Sequence, residues 1–426
     1  MNPQTPSNSH GRLSRSLPLL ALVAASALAI VAGTRTPAVA SPVRSSLTSR
    51  PQFSATAAAQ CVPPEKAQRL SALRTFKRTA AARRKRFFRT HRSKAARRAF
   101  LRREAARLRK LKRAAACTVP PPGARIVAQI PLGGFNLTEG EGQVWGLDHD
   151  GGELARIDPA RNAIVERVAV PRSELPEDPF PFGFVVGGGF GWVALGPDNV
   201  VRRFTLASGA SSSYRVGPTE GDDMYPIGLA LVNGTLWVAN HRDGSVTRIE
   251  PQTGAIETIT RIGAPGLGGP GWLAAGASGV WVTFGVTAEV AQLSAASGAL
   301  LRTVSVEPYG SCGQVAVDAE AVWVASSFCP GRRGVTRVDP TSGQVVAHIP
   351  MGFAPPFGVV SAYGSLWLTT GRLVREEPRA LVRVDPATNR IVGYLQLPPS
   401  SAFIKAAGGS LWVHAAGSVL RIQPES

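Results

Sequence analysis

Seven tryptophans, Trp145, Trp192, Trp237, Trp281, Trp323, Trp367 and Trp412, recur at steps of 47, 45, 44, 42, 44 and 45 residues, each inside a copy of one motif. A period in this range is that of a four-stranded propeller blade, a unit that buries its apolar faces only against its neighbours. The expected fold is therefore all-β, a seven-bladed β-propeller over residues 118–426. The period stops short of residue 118, so what precedes it needs a separate explanation.

The repeat around Trp237 shows the strand logic. Gly228 to Val232 is an apolar strand, Asn233-Gly234 suits a tight hairpin turn, and Thr235 to Asn240 is a second strand. Gly244 to Glu250 alternates as a third strand, Pro251-Gln252-Thr253-Gly254 turns the chain, and Ala255 to Thr260 is the fourth. The same third-to-fourth turn recurs as Asp158-Pro-Ala-Arg-Asn162, Asp339-Pro-Thr-Ser-Gly343 and Asp385-Pro-Ala-Thr-Asn389. The last repeat ends near Gln423 with three strands. A fourth is supplied from the other end, because Ile126-Val-Ala-Gln-Ile-Pro-Leu-Gly133 nearly repeats Val345-Val-Ala-His-Ile-Pro-Met-Gly352. N-terminal strand closure of blade seven follows, hiding two sheet edges that would otherwise be open.

The formal charge of +20 suggests a nucleic-acid binder until it is located. From Cys61 to Cys117 there are 21 Lys/Arg against Glu65 and Glu104, a net of +19, whereas residues 118–426 carry a net of −4. The basic stretch has no glycine, its only prolines are Pro63 and Pro64, and its apolar residues follow helical spacing. A short basic α-helical hairpin is expected, turning near Arg89, with Leu70, Leu73, Phe76, Ala80 and Phe87 facing Leu101, Ala105, Leu108, Leu111 and Ala115. So many cations on a small unit repel one another, and the hairpin should be marginal without a bridge or an anionic partner. Electrostatic attachment to an anionic membrane or wall polymer is one use; a solvated charged stalk is the other. Nothing in the stretch reads bases, so no sequence-specific nucleic acid is expected.

Upstream, Arg12 and Arg15 precede an uncharged apolar run from Ser16 to Thr34, and Ala38-Val39-Ala40 supplies the small residues of a cleavage site. Residues 1–40 thus read as a signal peptide or an uncleaved anchor, and residues 41–60 as a disordered linker. Either places the rest outside the cytoplasm, secreted or in the cell envelope. Four cysteines suit that compartment and suggest two disulfides. Cys61 and Cys117 bracket the basic hairpin. Cys312 and Cys329 flank the Ala319-Glu320 turn and are expected to face each other across an antiparallel hairpin.

Leu236-Trp-Val-Ala-Asn240, Arg248-Ile-Glu-Pro251 and the closing Gly254 resemble the repeat of YVTN-type, YncE-like propellers, and are also similar to that of virginiamycin B lyase-like propellers. The first resemblance implies an envelope propeller. The second implies a divalent metal, with a Glu and a His near the strand ends acting on an ester-like linkage. At the third position after each Trp this chain carries Asp148, Leu195, Asn240, Phe284, Ser326, Thr370 and Ala415, with no Glu among them.

Candidate chemistry gathers on the face shared by the loops entering each blade and those joining second to third strands. His149 and His241 hold equivalent positions four residues after their Trp, and are the candidate catalytic residues, none being assigned. Asp148, Asp150, Asn240, Asp243, Asp222 and Asp223 complete a candidate ligand-binding set. The same residues equally suit solvated loops, and no Cys/His spacing marks a metal site. Two functions are expected to compete. One is an exported binding module, a monomer taking an unknown ligand or protein at the propeller face and needing no cofactor. The alternative is a lyase-like or lactonase-like enzyme using a divalent metal on the loop-bearing face.

Overall fold

The computed structural model describes residues 63–115, 123–134, 136–148, 151–170, 183–217, 223–266, 268–327, 332–351, 354–371, 379–415 and 417–425. The expected leader and linker, and Cys61, Cys117 and Cys329, lie outside the described residues. Among the described residues two helices, α1 (Pro63–Thr90) and α2 (Lys94–Ala115), precede twenty-eight strands, β1 to β28 in chain order. The strands form seven four-stranded antiparallel sheets.

Within blade three the local chemistry acts as its residues dictate. β10 (Pro226–Val232) turns into β11 (Thr235–Asn240) through Asn233 and Gly234, whose φ values of 51° and 78° are both left-handed. A two-residue hairpin loop of this mirror-image type matches the right-handed twist of the strands, and Asn-Gly is the pair that tolerates it. The third-to-fourth turns use the same freedom at Asn162, Gly254, Gly343 and Asn389. Closure is as the sequence repeat predicts. β1 (Ala124–Pro131) lies antiparallel against β28 (Ser418–Pro424), so the seventh sheet runs β1-β28-β27-β26.

The innermost strand of each blade contacts the innermost strands of both flanking blades, which closes the ring around an axis. These strands are β2 (Asn136–Gly140), β6 (Phe184–Gly187), β10, β14 (Pro270–Gly276), β18 (Val315–Val317), β22 (Pro356–Ala362) and β26 (Ile404–Ala407). Their approach is backbone to backbone. A Cβ on Gly228 would stand 2.1 Å from the Gly271 carbonyl oxygen, so no larger residue fits there without moving the next blade.

The ladder tryptophans fill the seams between blades. All seven are at most 2% exposed, and each joins the apolar cluster of the following blade. Trp412 packs with Leu137, Val144, Ala155 and Ile157 of blade one, so the last seam closes on the first. Removing one such side chain costs about 3–5 kcal/mol.

The hairpin forms as expected, with its turn at His91, Arg92 and Ser93; Leu108, Leu111 and Ala115 face inward as expected, but the stripe differs at the start of α2. Leu101 and Ala105 are exposed; Phe100 and Glu104 take the inward positions. Phe100 stacks on Phe87 with centroids 4.2 Å apart, and Glu104 accepts from Arg83 at 2.9 Å. An aromatic stack and an ion pair outweigh an alanine-rich seam, which buries little apolar area.

Cys312 is buried and disulfide-bonded. The register pairs Val315 with Val324 and Val317 with Val322; Cys329, the partner expected for Cys312, lies outside the described residues. Among the described residues no helix is long and apolar enough to cross a membrane.

Candidate functional site

Of the residues singled out in the sequence, His149, Asp150 and Asp222 lie outside the described residues. The others do not form one cluster. Asp148, in blade one, accepts the Gly151 amide at 2.9 Å and lies 3.5 Å from Arg167, whose guanidinium also meets Glu153 at 3.0 Å. Asp243 pairs with Arg261 at 2.9 Å, and Asp223 with Arg242 at 3.3 Å. Arg242 also stacks 4.0 Å from the Tyr225 ring centroid. These three carboxylates each face an arginine. Among the described residues no group of three or more His, Cys, Asp and Glu is arranged to hold a metal ion.

Asn240, the last residue of β11, and His241, in the turn that follows it, are both buried. The Asn240 amide donates to the hydroxyls of Ser245 at 3.0 Å and Thr247 at 2.8 Å. His241 is 6% exposed, and its Nδ1 lies 3.2 Å from the Pro270 carbonyl oxygen. A carbonyl only accepts, so Nδ1 carries the proton and Nε2 keeps a bare lone pair, for which no hydrogen bond is formed. Burial holds the imidazole below its usual pKa; the Pro270 and Gly269 contacts oppose that in part and Arg242 adds to it. His241 is thus a neutral imidazole locked between blades three and four.

Where the seven inner strands meet, a cavity of about 90 Å³ lies on the axis, with lining residues from every blade. At about 10–15 Å³ of probe space per water it has room for several. Antiparallel register gives each ladder Trp one partner on the inner strand. That partner is Thr138 in blade one, valine or alanine in blades two to six, and Lys405 in blade seven. Asn136, Thr138, Trp272 and Gln314 line the same cavity. Trp272, the one tryptophan off the ladder, meets Phe403 at 5.5 Å and Phe357 at 6.4 Å, and those two rings are 5.0 Å apart. The three come from blades four, six and seven, so their contact crosses the axis at the entry-loop ends of the inner strands.

A second set invisible to motif reading lies outward of the tryptophans. On the third strand, six of the seven Trp residues pair with an arginine and Trp281 with Gln292. Arg203 donates to the Pro251 and Gln252 carbonyls at 3.0 and 2.8 Å, Arg337 to Pro386 at 2.7 Å, and Arg421 to Pro159 and to Asn162 Oδ1. Each acceptor belongs to the third-to-fourth turn of the following blade. The signal available in the sequence was the joint recurrence of that turn and of a basic residue after six of the seven Trp residues.

Fold and channel define this chain as a seven-bladed β-propeller with a narrow axial cavity. No family model and no curated protein matches it. Solved structures to which it is similar include BamB from Moraxella catarrhalis, with a TM-score of 0.49 and 16% identity over 69% of this chain and 85% of that chain. Another is the hydrazine synthase of Kuenenia stuttgartiensis, at a TM-score of 0.47 and 14% identity over 57% of this chain and 74% of that chain.

Proposed function

We propose that this chain is an exported binding module of the cell envelope, a YVTN-like propeller that its basic hairpin holds against an anionic surface. The observation that carries the reading is how the hairpin distributes its charge. Its inner face is complete, with Phe76 buried under Arg83, the Phe87–Phe100 stack, and Glu104 paired with Arg83. Outside it, cations such as Arg74, Arg78, Lys85, Arg98, Arg102 and Lys110 are exposed along both helices. Side chains of one sign on both outer faces suit a surface of the opposite sign rather than a partner helix.

The axial cavity supports a binding role on a face of the disc. Small-molecule sites commonly occupy about 300–1,000 Å³, and this one is much smaller, so a peptide or polymer ligand meets the propeller from outside. The disulfides Cys61–Cys117 and Cys312–Cys329 belong to the same reading, as clasps of the hairpin and of blade five in an oxidising compartment.

The test is sedimentation of the chain from residue 41 onward with vesicles, one set containing anionic phospholipid and one purely zwitterionic. Binding only to the anionic set, released as salt rises, is expected, because exposed charges are screened beyond a Debye length of about 8–10 Å at physiological salt. Salt-insensitive binding, or equal binding to both sets, overturns the electrostatic role.

A further inference from the structure

Lys405 has no counterpart in the other six blades: the matching inner-strand positions hold threonine, valine or alanine. It is half-buried at the wall of the axial cavity, and among the described residues no hydrogen bond or ion pair reaches its ammonium. Its surroundings hold the Lys405 pKa below the usual lysine value, and among the described residues the carboxylate that opposes this is Glu139, exposed farther along β2. A second observation points into the same space. Gln314 is 8% exposed, lines the cavity, and its side-chain amide makes no hydrogen bond among the described residues. Asn136 and Thr138, both 6% exposed, add an amide and a hydroxyl.

The Lys405 amine and the Gln314 amide both open into the cavity without a protein partner among the described residues, so solvent meets them there. One guest replaces that solvent at both. It carries a single negative charge, presents two or three acceptor oxygens, and fits a space of several waters. We propose that the axial cavity is a binding site for a small singly charged oxyanion of the formate or nitrate kind, with Lys405 as counter-ion and Gln314 as donor. The proposal is independent of the surface-binding role, since no residue of the hairpin takes part.

The experiment measures thermal unfolding of the chain from residue 41 onward as sodium formate replaces sodium gluconate at fixed ionic strength, gluconate being too large for the cavity. In parallel, the NMR line of ¹³C-formate is followed against protein concentration. Formate is expected to raise Tm. At ten times its dissociation constant the folded-to-unfolded ratio rises about elevenfold. Lys405→Met should abolish the response and Gln314→Leu weaken it. Glu139→Gln should strengthen it, by removing a competing negative charge. An equal Tm rise in Lys405→Met overturns the proposal. If that variant fails to fold, an unchanged response in both Gln314→Leu and Glu139→Gln overturns it, as does the absence of a saturable formate signal with the unaltered chain.

Discussion

At the scale of single residues, burial decides what the candidate groups can do. His241 was legible as a polar residue near a blade face; its depth was not, because the Pro270 carbonyl that locks it comes from the next blade. Its protonation has a definite sign. The folded pKa lies below that of the unfolded chain, so the unfolded state binds more protons as pH falls below about 6.5, the ordinary histidine value, and stability is lost there. His348, lowered chiefly by burial, acts in the same direction. The difference between wild type and His241→Gln isolates the effect: Tm measured between pH 8 and pH 5 should fall less in the variant, and identical slopes would show that His241 is not held neutral. Asp318 shows the opposite balance. Burial raises its carboxyl, but hydrogen bonds from Ser361, from the Trp323 indole at 3.0 Å and from two backbone amides prevail and hold it below the usual range.

Among the elements, the turns after the third strands of blades one, three and six do two jobs. They reverse the chain through a left-handed Asn or Gly, and they offer carbonyls to an arginine of the preceding blade. Arg337 is the clearest case, spanning from Trp323, whose ring centroid is 5.1 Å from its guanidinium, to the Pro386 carbonyl in blade six. Replacing it by Met keeps the aliphatic stem and removes the charged donor. Hydrogen bonds to charged groups contribute about 1.5–3 kcal/mol, so Arg337→Met should lower stability by about 1–3 kcal/mol in urea titration, with little change in the slope. An unchanged midpoint would reduce the latch to a surface contact. The strands, hairpin turns and blade count were readable because period, alternation and turn chemistry are all local and agree. The start of the inward stripe on α2 was not. On an alanine-rich helix Leu101 and Phe100 suit an inward stripe equally by spacing, and the choice was made by Phe87 and Arg83 on the other helix.

For the whole molecule, the ring stands or falls with its last pairing. β1 covers one edge of β28, and the seam of Trp412 against blade one completes the circle. Deleting residues 124–132 should replace one cooperative thermal transition by a broad or aggregating one, since two strand edges become available to other chains. A sharp melt at the original temperature would show that closure is dispensable. The axial cavity is likewise a property of the whole. Lys405, Gln314 and Trp272 lie in blades seven, five and four, so no window of sequence short enough to hold a motif contains them. Only the register of seven inner strands brings them to one place.

That pairing also sets an order of events during synthesis. Gln129 in β1 donates to Ser418 in β28 at 3.0 Å, a contact between residues 289 positions apart. At about 5–20 residues per second the first strand to emerge waits on the order of 15–60 s for its partner to exist. Throughout that interval Ile126 and Val127 belong to an unmatched, sticky ribbon. The residues immediately ahead of it on the growing chain include the 21 lysines and arginines of the hairpin. Two nascent copies meeting at this stage repel before their ribbons can join. The charge that in the finished protein faces outward would thus also keep each β1 for its own ring.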